Sequence, residues 1–301
     1  MPSTTTPYDA IIVGGSFAGL SAGLQLARAR RHILVIDEGQ RRNRFSSHSH
    51  GFLGQDGREP ATIVAEAKAQ LRAYPTVAWR DAKAGEAKAE REGFRVTDSR
   101  GGEHQARRLL LATGVRDELP AIPGLRERWG KSVLHCPYCD GYELGGGKLG
   151  VLASGAFSAL KAALVADWGA VTLFLNGEAE PDAEATALLE RRGVAVERAR
   201  IVAAEGDGTA MAGLRLADGR LAPIKALFIA AGICPASPLA EELGCAFDDG
   251  PFGPLLRVDG MKQTSVTGVY AAGDAATARH SVALAVADGV VAGTGLHMSL
   301  L

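Results

Sequence analysis

The stretch Tyr8-Asp9-Ala10-Ile11-Ile12-Val13-Gly14-Gly15-Ser16-Phe17-Ala18-Gly19 decides the fold. Residues 8–13 form a short apolar run of the kind that makes a strand buried on both faces. A glycine-bearing turn follows, then a segment with Leu20, Leu24 and Ala27 on its apolar side, then a second apolar run, Ile33-Leu34-Val35-Ile36, ending on Asp37-Glu38. Strand, turn, helix, strand and an acid about 20 residues past the glycines are the parts of a dinucleotide-binding unit. Gly14 allows the tight turn and Gly19 lets helix and strand approach, while Ser16 stands where the pattern has its middle glycine. The backbone of Gly14, Gly15, Ser16, Phe17, Ala18 and Gly19 is therefore expected to meet a pyrophosphate, and Asp37 or Glu38 a ribose hydroxyl.

Working outward, Leu109-Leu110-Leu111-Ala112-Thr113-Gly114 and Val269-Tyr270-Ala271-Ala272-Gly273-Asp274 are two more buried strands, each running into a small-residue turn. Residues 61–74 read as a helix, and Ser99-Arg100-Gly101-Gly102 as the turn of an antiparallel excursion before Leu109. A second unit repeats the pattern. Residues 148–152 read as a strand, 159–167 as a helix and 171–175 as the next strand, and Leu227-Phe228-Ile229-Ala230-Ala231-Gly232 echoes residues 109–114. Between the two copies lies His135-Cys136-Pro137-Tyr138-Cys139-Asp140. A Cys-x-x-Cys pair can close into a disulfide with little backbone movement, and in an α/β protein it reads as catalytic. Pro137 suits the first turn of a helix, whose free amides would favour a thiolate. A zinc site would need four ligands, and the chain has a single Cys-x-x-Cys. Cys234 and Cys245 stand apart and read as small buried hydrophobes.

Composition limits the function classes. In 301 residues, Lys plus Arg (33) nearly balance Asp plus Glu (34), which argues against nucleic acid or an anionic membrane as partner. The amino-terminal residues lack a basic stretch followed by an apolar run, and no segment holds about 18 uninterrupted apolar residues. The expectation is a cytoplasmic protein without a membrane span.

The order of these motifs resembles the low-molecular-weight thioredoxin reductase superfamily nearly end to end. That resemblance implies a two-domain, doubly wound, Rossmann-like α/β fold of the FAD/NAD(P)-binding type. The FAD-binding domain would be discontinuous, residues 1–116 and 247–301, and residues 117–246 would form an NAD(P)-binding-like domain carrying the cysteines. It implies FAD as cofactor, with Ala112, Thr113 and Gly114 crossing it and Gly273 and Asp274 at its ribityl and phosphate region. Arg42, Asn43 and Arg44 would lie along its phosphates or adenosine edge, as would Arg41, and His50 would also contact it, with His48 or His50 bordering the thiol site. Val282 and Ala283 would meet the pyrimidine end, after Ser281, where the family often has arginine. Asp140 would move a proton for the leaving thiol, with His135 a second candidate base. A homodimer is implied as well.

The second nucleotide turn departs from a reductase. It reads Ala153-Ser154-Gly155-Ala156-Phe157-Ser158, without the first glycine, and Asn176-Gly177-Glu178-Ala179-Glu180-Pro181-Asp182 offers carboxylates where a 2′-phosphate needs arginines. NADPH is therefore a doubtful ligand. The chain more closely resembles the FAD-dependent dithiol oxidases that close disulfides in natural products such as gliotoxin, holomycin and romidepsin. That resemblance implies a small-molecule or peptide dithiol as substrate, O2 as acceptor with release of H2O2, Cys136 as the interchange thiol and Cys139 as the thiol facing the flavin. Two alternatives stay open: a thioredoxin reductase fed by NADPH or ferredoxin, and a non-catalytic flavin-binding redox sensor.

Overall fold

The computed structural model describes residues 7–155 and 157–301, so the amino-terminal reading of residues 1–6 and Ala156 of the second turn lie outside the described residues. The chain divides into two compact units. The first takes the chain up to Arg44, Phe52–Arg116 and Ile233–Leu301, and the second takes Phe45–Gly51 and Asp117–Gly232.

In the first unit, Tyr8–Val13 lies between Ile33–Asp37 and Glu103–Leu111 in a seven-stranded sheet, parallel to both. Val77–Asp81 extends one side in parallel, and Gly93–Asp98 and Ala84–Glu90 extend the other as an antiparallel excursion. Val269–Ala271 pairs in parallel with Glu103–Leu111. Alternation along the first strand builds two cores. Ile11 and Val13 pack with Leu34, Leu109 and Leu111 on one face, and Ala10 and Ile12 with Leu26, Val35 and Leu110 on the other. Both faces are covered, as a parallel sheet requires.

The carboxyl-terminal helix, Val282–Met298, crosses the first helix, Phe17–Arg28, at very short range. A Cβ on Gly289 would stand 2.2 Å from the Ala18 carbonyl oxygen, so glycine is needed for the approach. The Ser21 hydroxyl donates to the Val286 carbonyl across the same seam at 2.8 Å.

The second unit repeats the parallel plan in five strands, ordered Ala195–Glu197, Ala170–Phe174, Lys148–Leu152, Ala226–Ile229 and Val133–Leu134. A three-stranded antiparallel sheet of Ile201–Glu205, Gly213–Leu216 and Leu221–Ala222, which the sequence did not suggest, is joined to it through a core containing Leu125, Phe174, Leu214 and Leu227.

Two expectations need correction. The expected return to the first unit lies between residues 246 and 247, but the chain returns between Gly232 and Ile233. The cause is burial: Leu239, Ala240 and Cys245 belong to the same core as Ile11 and Val96, so this segment is part of the first unit and not a linker. Cys234 is only half-buried, whereas Cys245 is buried as expected.

Candidate active site

The first turn is built by exclusion of side chains. Gly14 has φ +103°, and a Cβ there would lie 2.2 Å from the Ala112 carbonyl oxygen, so the turn after the first strand rests directly on Ala112-Thr113-Gly114. A Cβ on Gly19 would lie 1.9 Å from the Gly14 carbonyl oxygen, and one on Gly15 would strike the Trp79 ring. Asp37 Oδ1 accepts from the Gly15 amide at 2.9 Å, leaving its second oxygen for another donor. Ser16 is the N-cap of the Phe17–Arg28 helix, and no side chain caps it. The first-turn amides, including those of Phe17, Ala18 and Gly19, therefore have no intrahelical partner and carry the positive end of the helix dipole.

Three other expected elements come to this unit. Arg42 Nη1 donates to Asp274 Oδ2 at 2.8 Å. Gly273, at φ +78°, lies against Ala18, where an added Cβ would approach the Ala18 Cβ to 2.9 Å. The Gly273 amide donates to Asp288 Oδ2 at 3.0 Å, and Asp288 also pairs with Lys262. Asp288 was missed from sequence because nothing local marks a helix-surface acid as the anchor of a turn 15 residues earlier. Asn43 is half-buried in the Arg42–Phe45 turn, Arg44 is exposed with Nη1 on the Arg41 carbonyl, and Glu38 is exposed. Val282 and Ala283 open the last helix behind Ser281, whose hydroxyl accepts from the Leu284 amide at 3.1 Å. An uncapped helix start, a side-chain-free cradle, a ribose-distance acid and a second acid paired with arginine together fit FAD, with Gly14–Gly19 at its pyrophosphate and Asp37 at its ribose.

In the second unit, Cys136 is the N-cap of the short helix Pro137–Asp140, and the Cys139 amide donates to its carbonyl at 3.3 Å. Both thiols are free and half-buried. The Cys139 thiol hydrogen-bonds Cys136 and, with the amides of Cys139 and Tyr138, pulls Cys136 down to about 7 against burial and the charge of Asp140. The same bond, with burial and the neighbouring charges, pushes Cys139 up. The pair thus has one reactive thiolate at neutral pH and one thiol that keeps its proton.

Asp140 closes the helix and so is not its cap. Burial, then the Glu143 carboxylate, pushes Asp140 up to about 6, opposed by His50. His50 Nε2 stands 3.4 Å from Glu143 Oε1, which places this histidine, expected along the cofactor, beside the thiol helix in the second unit. The His50 segment is tied down there by Lys131 Nζ on Ser47 Oγ at 2.7 Å, and by Phe45 lying against Gly130. His48 is exposed, with its ring 6.2 Å from that of His50, and His135 is half-buried just before the cysteines.

The second nucleotide turn is closed on itself. Ser158 Oγ accepts from the Ser154 amide at 2.8 Å and donates to the Gly155 carbonyl at 2.6 Å. Of the carboxylates after the next strand, Glu180 grips Arg198 through two hydrogen bonds of 2.7 and 2.9 Å, and Asp182 caps the Ala183–Arg191 helix through the Ala185 amide. Arg200 lies beside Gly177, a cation that the sequence pattern did not reveal because it comes from beyond the following strand.

A dinucleotide fold of this class carrying a Cys-x-x-Cys pair defines an FAD-dependent disulfide oxidoreductase. The model of the pyridine nucleotide-disulphide oxidoreductase family matches residues 8–289, and the chain belongs to that family. It is 35% identical over 317 aligned residues to a Claviceps purpurea protein named thioredoxin reductase tcpT, covering 99% of this chain and 96% of that protein. Among solved structures, an oxidoreductase from Agrobacterium tumefaciens superposes with a TM-score of 0.94 at 49% identity, covering 98% of this chain and 99% of the other. The structure named HlmI superposes with a TM-score of 0.89 at 33% identity, covering 98% and 92%. No helix among the described residues is long and apolar enough to cross a membrane.

Proposed function

We propose that this protein is an FAD-dependent dithiol oxidase that closes a disulfide in a small-molecule or peptide dithiol, with O2 as acceptor and H2O2 as by-product. One observation carries the reading: Ser158 occupies the Ser154 amide of the second nucleotide turn. An amide already bonded inside its own turn is a poor donor to a pyrophosphate. The pairing of Arg198 with Glu180 acts in the same direction, since it neutralises a guanidinium close to where a 2′-phosphate would be held.

A substrate thiolate attacks Cys136 in the oxidised pair, and the Cys136–Cys139 bond breaks with its electron pair on Cys139. The second substrate thiolate then attacks the substrate sulfur of the mixed disulfide, and Cys136 leaves as a thiolate. Two electrons have passed from substrate to the cysteine pair, and the substrate leaves as a disulfide. Asp140 serves this exchange as a proton carrier, being mostly a carboxylate at pH 7 and still basic enough to take a thiol proton. Glu143 raises its proton affinity and His50 lowers it. FAD, when bound, supplies two-electron oxidation of the reduced pair and reaction with dioxygen. By resemblance to the thioredoxin reductases, the working form is taken as a cytoplasmic homodimer.

A thioredoxin reductase is the second reading, favoured by the name of the Claviceps relative and by Arg200 beside Gly177. The test is to mix the FAD-loaded protein with a dithiol without air and then admit air. The oxidase reading expects bleaching of the flavin, recovery of its colour in air, and one H2O2 for each disulfide formed. A dithiol that leaves the flavin oxidised overturns it.

A further inference from the structure

The Gly273–Asp274 turn is held at two points by one residue outside it. Lys262 lies in the loop before the last strand, where its backbone has φ +69°. That is a left-handed conformation, which strains a residue with a side chain and suits glycine. Asp259 shapes the loop, its Oδ1 accepting from the Met261 amide at 2.8 Å and the Gln263 amide at 2.9 Å. The loop also rests on the Val282–Met298 helix, since a Cβ on Gly295 would lie 2.3 Å from the Met261 carbonyl oxygen. So placed, the Lys262 carbonyl accepts from the Ala271 amide at 3.0 Å, two residues before Gly273. Its ammonium pairs with Asp288 Oδ1, while Asp288 Oδ2 accepts from the Gly273 amide at 3.0 Å. The lysine and aspartate side chains are only 18% and 13% exposed. A carboxylate so far out of water is costly without a cation beside it, and a charged acceptor holds an amide more strongly than a neutral one.

We propose that Lys262 is a positioning residue for the flavin cofactor: through its carbonyl on Ala271 and its ammonium on Asp288, it fixes the Gly273–Asp274 turn in the form that receives FAD. The inference rests on that turn being part of the FAD cradle, and it is independent of the electron donor and acceptor. Gly273 stands at φ +78° against Ala18, and Gly289, next to Asp288, leaves room for the Ala18 carbonyl. One acid therefore ties the turn to the point where the last helix crosses the first. Asp274, the next residue, pairs with Arg42. Without the ammonium the Asp288 carboxylate is uncompensated and either takes a proton or turns to water. In both cases the Gly273 amide loses its charged acceptor, and Asp274 loses its fixed place. Glycine at position 262 would carry the left-handed backbone without strain, so what lysine adds there is its side chain.

The test is release of FAD from the loaded full chain, followed as recovery of flavin fluorescence after dilution, with circular dichroism as the check on folding. Lys262→Met should release FAD about tenfold faster than wild type, the loss expected when one hydrogen bond to a charged acceptor weakens. Lys262→Arg should restore most of the slow release. Lys262→Gly separates positioning from support of the backbone: it relieves the strain at φ +69°, yet should release FAD as fast as Lys262→Met. Asp288→Asn should also speed release, and adding Lys262→Met to it should change little more, because the two side chains act as one unit. If Lys262→Met does not fold, Lys262→Gly and Lys262→Arg carry the comparison. Release at the wild-type rate in the folded neutral variants overturns the inference, as does Lys262→Arg releasing as fast as Lys262→Met. Wild-type flavin retention in Asp274→Ala would instead overturn the place of the turn in the cradle, and none of these outcomes touches the oxidase reading.

Discussion

Arg42 and Asp274, 232 residues apart in sequence, meet through a 2.8 Å hydrogen-bonded ion pair in which each side chain is 20% exposed. The contact fastens the turn after the last strand to the loop that follows Asp37, so two motifs far apart in sequence are held together in the first unit. Screening by salt is weak at such a partly buried pair, and removing one partner leaves the other charge uncompensated.

Asp274→Ala should therefore purify with much less FAD than wild type, whereas Asp274→Asn, which keeps an acceptor for Arg42, should retain more. The ratio of flavin to protein absorbance reads this directly. Full flavin content in the alanine variant would remove Asp274 from the site.

The two cysteines should behave differently. Cys139→Ser leaves the lowered thiol at Cys136 with no partner to resolve it, so turnover should stop and a substrate adduct should accumulate on Cys136. Cys136→Ser should also stop turnover but form far less adduct, because Cys139 is the thiol that holds its proton. Intact-protein mass after exposure to an asymmetric disulfide separates the two. Adduct on the Cys136→Ser variant alone would reverse the roles.

Asp140 acts on Cys136 and on proton transfer in opposite senses. Its carboxylate raises Cys136, so Asp140→Asn should make that thiol more acidic and speed its alkylation at pH 6 by roughly threefold. Turnover should nonetheless fall by about a hundredfold, the usual loss when a general acid–base group is removed. In the wild type, activity should decline as pH drops through about 6, where Asp140 takes up a proton. A parallel loss of both alkylation and turnover would instead make Asp140 a structural support of the helix.

Much of the first unit was legible because its signals are local. The period-two split of Ile11 and Val13 from Ala10 and Ile12, the glycines at 14 and 19, and the acid at 37 are all read along one continuous stretch. The antiparallel turn at 99–102 was legible for the same reason: the Asp98 amide bonds the Gly102 carbonyl across it. What escaped the sequence depends on chain segments that meet only after folding. His50 was expected either along the cofactor or bordering the thiol site, and its neighbour Glu143, 93 residues further on, could not be read from the sequence. The closure of the second turn by Ser158 and the anchoring of Gly273 by Asp288 leave no periodic or compositional trace. The early return at Ile233 was hidden because the burial of Leu239 and Ala240 in the first unit's core, which decides it, comes from contacts with residues far away in sequence.

Asp98 carries a prediction about stability. Its side chain is fully buried. Burial alone would raise its pKa, but hydrogen bonds from His104 and Arg80 and from the amides of Gly102 and Arg100 outweigh that and hold it well below the usual carboxylate range. A carboxyl depressed in the folded state stabilises the fold above its unfolded pKa near 4, and that contribution is lost as pH falls below it. Asp98→Ala should cost about 3 kcal/mol at pH 7, since it strands Arg80 and His104, and should flatten the acid limb of the stability profile. Urea melts of both proteins at pH 7 and pH 3 check this, and equal acid sensitivity would contradict it.

The central claim is that electrons enter from a dithiol and not from NADPH. Stopped-flow mixing of the oxidised, FAD-loaded protein without air, against each reductant in turn, tests it most directly. Flavin absorbance should fall rapidly with the dithiol, and reduction by NADPH should be slower by at least about a hundredfold, because the second turn is closed by Ser158 and Arg198 is held by Glu180. Rapid bleaching by micromolar NADPH would contradict the claim and return the protein to the reductases.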